Sequence, residues 1–124
     1  MTEIFEERME RTKSVQRWVN HPTDLQYASL DVLRWLLTDE AVSLVKDYLQ
    51  IHLDRFEYIR NDTLDDKLKS FIDEYLDKEA TRTQKKIDNM DDWYFREIKR
   101  QISIWEVMLK SWKDPRFAQK KLRV

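Results

Sequence analysis

The chain contains no glycine and no cysteine, only two prolines and two histidines, and its apolar runs reach only three residues, as at Trp35-Leu36-Leu37. In 124 residues roughly nine glycines would be usual. Without them no P-loop, dinucleotide fingerprint, kinase glycine loop, nucleophile elbow or EF-hand loop can be built, because each needs a bare peptide or a positive φ. Tight Asn-Gly and Asp-Gly hairpins are excluded as well. The missing cysteines exclude disulfides, thiolate catalysis and cysteine-ligated zinc, and agree with a reducing compartment. Apolar runs this short fall well below the ~18 residues that span a bilayer. Charges alternate over Met1–Arg8 where a signal peptide would place an apolar stretch. A cytoplasmic protein with no membrane partner is therefore expected.

Against these absences stand 38% charged, 41% hydrophobic and 12% aromatic residues, with five each of Trp, Tyr and Phe. That many large apolar side chains argue against disorder and supply one sizeable core. The net charge of −1 conceals an uneven spread. Residues 1–38 carry 5 basic and 6 acidic side chains, residues 39–80 carry 6 and 12, and residues 81–124 carry 12 and 6. A bipolar chain can pair its own parts or present each to a different partner.

Hydrophobic periodicity predicts an all-α fold, an antiparallel up-and-down bundle of four to five helices at about 3–19, 24–37, 39–59, 63–80 and 83–113, the last one long. In the first, Ile4, Phe5, Met9, Val15 and Val19 share a side, and Asn20 is the expected left-handed stop before His21-Pro22. Thr23-Asp24-Leu25-Gln26 reads as a capping box for the second, and Thr38-Asp39 caps the third. Leu64, Leu68, Phe71, Ile72, Tyr75 and Leu76 form an apolar stripe on the fourth. The fifth carries Ile87, Met90, Tyr94, Ile98, Ile102, Trp105, Leu109 and Trp112 on its core face. At about 45 Å it is too long for its neighbours, so it must bend near Asp88-Asn89 or overhang the bundle. Residues 1–113 read as one domain and 114–124 as a basic tail.

Chemistry is sparse. His52 lies on the apolar face of its helix, with no histidine or carboxylate at i±3 or i±4 to share a metal, so a structural role is expected. The carboxylates Asp65, Asp66, Asp73 and Asp77 fall on a polar helix face and read as solvated. Ser14, Ser29, Ser43, Ser70, Ser103 and Ser111 have no base at recognisable spacing. No catalytic, metal or cofactor-binding residue stands out, no cofactor or small-molecule substrate is expected, and the chain reads as non-enzymatic.

Two surfaces remain. Trp93, Ile104 and Val107 lie opposite the core stripe of the last helix, with Met108 bridging the two sides, which marks them as a protein interface. Lys110, Lys113, Arg116, Phe117, Lys120, Lys121 and Arg123 combine positive charge with an aromatic ring in the pattern of a nucleic-acid surface. The sequence pI near 6.1 argues against a dedicated nucleic-acid-binding domain, and the same segment could fold back on the acidic helices. The leading expectation is a small non-catalytic interaction protein: a regulator, adaptor or inhibitor of the kind phages and mobile elements often encode. Its partner would be another protein or a second copy of itself. Nucleic-acid binding is the alternative.

Overall fold

The computed structural model describes residues 2–62 and 65–112, with side chains from residue 5 onward. Among them the chain is helical apart from short joints and contains no strand. The elements are α1 (Thr2–Arg11), α2 (Lys13–Asn20), a 3-10 segment (Pro22–Tyr27), α3 (Leu30–Leu36), α4 (Asp39–Asp62), α5 (Asp66–Asp88), a π segment (Asp91–Phe95) and α6 (Arg96–Trp112). The expected Ile4 and Leu64 contacts and the segment 113–124 lie outside the described residues.

α4 and α5 form an antiparallel hairpin, pinned near its tip by Arg60, which pairs with both Asp73 and Asp77. α1 runs back along α4: Phe5 meets Tyr58 edge-on at 5.9 Å, Arg8 pairs with Asp54 at 2.8 Å, and Arg11 with Asp47 at 3.3 Å. α2 continues along α4, and α6 lies across α3 and the 3-10 segment. The core between them holds Val15, Val19, Leu25, Ala28, Leu33, Leu36, Val45, Tyr48, Leu49, Met90, Tyr94 and Ile98. The all-α bundle with a long C-terminal helix is thus the observed architecture.

Its joints differ from the periodicity. The first helix is divided at Thr12, whose buried hydroxyl donates to the carbonyls of Arg8 and Met9 at 3.2 and 3.0 Å. Gln16 adds a 2.7 Å bond to the Met9 carbonyl, so side chains take acceptors that an uninterrupted helix would use. The second helix begins at Ser29 and not at Thr23. In a continuous helix the Ala28 carbonyl would accept from Val32 N–H. Instead Trp105 Nε1 donates to that carbonyl at 3.0 Å, and Val32 N–H turns to the Ser29 hydroxyl at 3.2 Å. Thr38 does cap α4, accepting from Ala41 N–H at 3.3 Å, but the helix passes Asn61 to Asp62. Asp65 caps α5, its carboxylate accepting from Leu68 N–H at 2.9 Å. The expected boundary at 80–83 is absent: α5 continues to Asp88, and Thr83 bonds back to the Glu79 carbonyl at 2.9 Å. The chain bends at Asn89, then widens into the π segment.

No described residue has a positive φ, so Asn20 is not the left-handed stop the sequence suggested. The chain leaves α2 through His21 at φ −132°, and the Asn20 amide bonds the Tyr48 hydroxyl at 2.9 Å. Helix ends therefore need other partners for their last carbonyls. Aromatic donors from the last third of the chain provide three of them. Trp93 Nε1 donates to Lys86 O at the end of α5, the Tyr94 hydroxyl to Leu36 O at the end of α3, and Trp105 Nε1 to Ala28 O after the 3-10 segment.

Two apolar rows expected in the core are exposed. α5 packs chiefly on α4, and one neighbour covers a strip narrower than the stripe. Leu76 is buried and Ile72 half-buried, but Leu68, Phe71 and Tyr75 are open to solvent, Phe71 to 70%. α6 outruns its partner: the seven residues of α3 extend about 10 Å and the seventeen of α6 about 25 Å. Ile98 is buried and Trp105 half-buried, while Leu109 and Trp112 on the same side are exposed.

Replacing Tyr94 by Phe strips the donor from a buried carbonyl and should cost about 1–3 kcal/mol. Phe71→Ser should stay within about 0.5 kcal/mol of wild type. Urea midpoints of the two variants check this, and equal midpoints would refute the capping role of Tyr94.

Candidate functional site

The residues singled out on the last helix divide into two groups. Ile104, Val107 and Met108 lie together on α6, where they line a shallow hollow with Arg100 and Ser103. All three are exposed, Val107 to 63%. Arg100 contributes little free charge to this hollow, because its guanidinium grips Glu97 through two bonds of 2.8 and 3.1 Å. Those bonds, with a third from Gln101, hold the Glu97 carboxyl below its usual range. The result is an apolar strip whose nearest cation is already neutralised.

Trp93 is placed elsewhere. It is half-buried against the core, with its indole N–H taken by Lys86 O and its ring edge-on to Tyr94 at 5.6 Å. Its outer edge lines a different hollow, with Pro22, Lys85 and Asn89 among its neighbours. Lys110 is exposed on the last turns of α6, and the remaining basic-segment residues, Lys113, Arg116, Phe117, Lys120, Lys121 and Arg123, lie outside the described residues.

Sequence reasoning missed the α5 row of Leu68, Phe71 and Tyr75, which it assigned to the core. The sequence held no signal for it, because the covering elements prove short only in the fold. α2, the 3-10 segment and α3 are 8, 6 and 7 residues long and cannot flank both sides of a hairpin whose arms have 24 and 23. A further groove, of about 550 Å³, separates α1 from the end of α4 and is lined by Phe5, Met9 and Tyr58 among others.

His52 sits half-buried on α4, its ring edge-on to Tyr48 at 4.7 Å and 6.5 Å from the Phe56 ring. Burial lowers its pKa from the ordinary 6.5, and the nearby Arg55 and Lys86 cations lower it further. Among the described residues no three His, Asp or Glu side chains are grouped to hold a metal ion. Of the carboxylates noted in the sequence, Asp65 caps α5, and Asp73 and Asp77 bind Arg60. No helix among the described residues is long and apolar enough to cross a membrane.

Compared with protein-family models, curated proteins and solved structures, the chain matches none of them. Its function is therefore argued from its own surfaces.

The His52 shift fixes the sign of one pH effect. With the folded-state pKa below 6.5, the unfolded chain takes up this proton first, so stability is full above that value. It declines as pH falls from 6.5 towards the folded-state pKa and loses nothing more to His52 below it. Urea midpoints measured from about pH 7 to pH 5 should fall for wild type and show a shallower slope for His52→Gln. An unchanged slope in the variant would contradict the assignment.

Proposed function

We propose that this protein is a non-catalytic interaction module that binds another protein through the outer end of α6, with a second copy of the chain as the simplest partner. The observation that carries the reading is the run of exposed Ile104, Val107 and Met108 on a helix that extends past the element it packs on. Exposed apolar side chains in a contiguous strip lower the free energy of association by leaving water, and those scattered singly do not. The strip also has the composition of an interface centre, being depleted of free charge while Lys110 and Glu106 stand at its edge. A single strip present on every copy can meet itself about a two-fold axis, and such isologous pairing is the commonest form of oligomer. Absence of glycine supports the same reading from another side, since few places let a backbone approach a ligand closely.

Light scattering and sedimentation on the full chain test the proposal. A dimer is expected at micromolar concentration, with Val107→Asp weakening it by at least about tenfold, or 1.4 kcal/mol. Phe71→Asp, on the separate α5 row, should leave it intact. A monomeric wild type whose capture of other proteins is also indifferent to Val107→Asp would sink the reading. An oligonucleotide shift that weakens steeply with salt and disappears in the Lys120→Glu, Lys121→Glu double variant would favour nucleic-acid binding instead.

A further inference from the structure

Beside His52 a crevice of about 220 Å³ opens between the end of α2, α4 and α5, and its charges do not balance. Asn20 lines it from α2, His52 from α4, and Glu79, Arg82, Thr83 and Lys86 from α5. Most of the neutral polar groups are already engaged: Asn20 exchanges hydrogen bonds with the Tyr48 hydroxyl, and the Thr83 hydroxyl donates to Glu79 O. The cations are less well provided for. Arg82 reaches Glu79 only at 3.6 Å and is largely exposed. Lys86 is half-buried, and none of the ion pairs among the described residues includes it.

Two positive side chains, Arg82 and Lys86, thus line the crevice beside the histidine with Glu79 as the one acidic lining residue, and α2 contributes no charged side chain to the lining. Arg82 and Lys86 stand one helical turn apart and line the neighbouring hollow too, where Lys85 joins them together with Asp92, whose carboxylate is paired with Arg96 at 3.0 Å. The protein is slightly acidic as a whole, so this is a local concentration of positive charge in a concave place. A partly desolvated cation without a paired counter-charge, as Lys86 is, raises the free energy of the folded state, and an anion seated between it and Arg82 would lower it. The His52 ring meets Tyr48 edge-on and Phe56 at a tilt, and no hydrogen bond to its nitrogens is found among the described residues.

We propose that this crevice binds a small oxyanion of the phosphate class, with Lys86 and Arg82 as its charge partners and the His52 imidazole as a hydrogen-bond donor. Three donors on two helices suit an ion with several acceptor oxygens better than a carboxylate with two. The proposal is independent of the α6 surface, since the two share no residue.

The probe is inorganic phosphate, titrated into the isotopically labelled full chain at constant ionic strength with chloride as the balancing ion. Saturable resonance shifts are expected at His52, Arg82 and Lys86, with a midpoint on the order of 1 mM. In saturating phosphate the His52 titration should move upward by about one pH unit. Arg82→Gln and Lys86→Met should each weaken binding by about tenfold or more, and Lys69→Gln, on the exposed part of α5, should not. Arg82 is exposed, so its variant decides the matter even if Lys86→Met perturbs folding. Linear shifts that chloride reproduces, or binding indifferent to Arg82→Gln, would overturn the proposal. Acetate giving the same saturable response would overturn the phosphate assignment in favour of a carboxylate.

Discussion

The closing of helix ends without glycine is the constraint on which the rest of this fold depends. A helix leaves its last carbonyls without intrahelical donors, and the usual remedy is a residue in the left-handed region that turns the chain back on them. Here no described residue takes that conformation. Indole and phenol donors from Trp93, Tyr94 and Trp105 reach instead to Lys86, Leu36 and Ala28. Each ring also fills space in or beside the core, so one side chain supplies both buried apolar area and a hydrogen bond. The wide turn of the π segment has the same logic: it sets three successive aromatic residues, Trp93, Tyr94 and Phe95, into different directions at the point where α5 gives way to α6.

This arrangement concentrates packing at one end of the molecule and leaves the other parts thinly covered. The core lies around α2, α3, the first half of α4 and the π segment. Beyond it the α4–α5 hairpin and the end of α6 extend with fewer neighbours, and the exposed rows of Leu68, Phe71 and Tyr75 and of Ile104, Val107 and Met108 lie there. Ion pairs help to fasten α1 and α5 to α4, with Arg8, Arg11 and Arg60 each reaching across to a neighbouring helix. Such partly exposed pairs set register at small net free energy. Outlying surfaces held in this way are well suited to association, because burying them completes a contact the monomer leaves open.

Much of the fold was legible in the sequence. A 3.6-residue period sustained from Ala41 to Ile59 is hard to read as anything but a helix, and Thr38 announces its start by chemistry that acts within four residues. Tyr94 and Ile98 were legible as core for the same local reason. The joints were not. Whether a helix continues past Ala28 depends on an indole 77 residues away, and whether it breaks at Thr12 depends on which carbonyls neighbouring side chains claim. The surfaces were legible in part. Ile104, Val107 and Met108 stand outside the core as their positions on the wheel indicate, whereas Trp93 is drawn inward by Lys86 O, and the α5 row reads as core because periodicity reports amphipathicity without saying how wide the covering neighbour is. The His52 crevice left no trace in spacing, since its lining comes from three helices brought together only by the fold.

The aromatic caps also impose an order on the growing chain. α3 ends in a carbonyl whose donor, Tyr94, is made 58 residues later, and the joint at Ala28 waits for Trp105. During synthesis α3 and the joint before it therefore emerge with these two carbonyls still open to water. Only when the segment from the π turn onward leaves the ribosome do they acquire their donors, so this part of the core is completed by residues made much later.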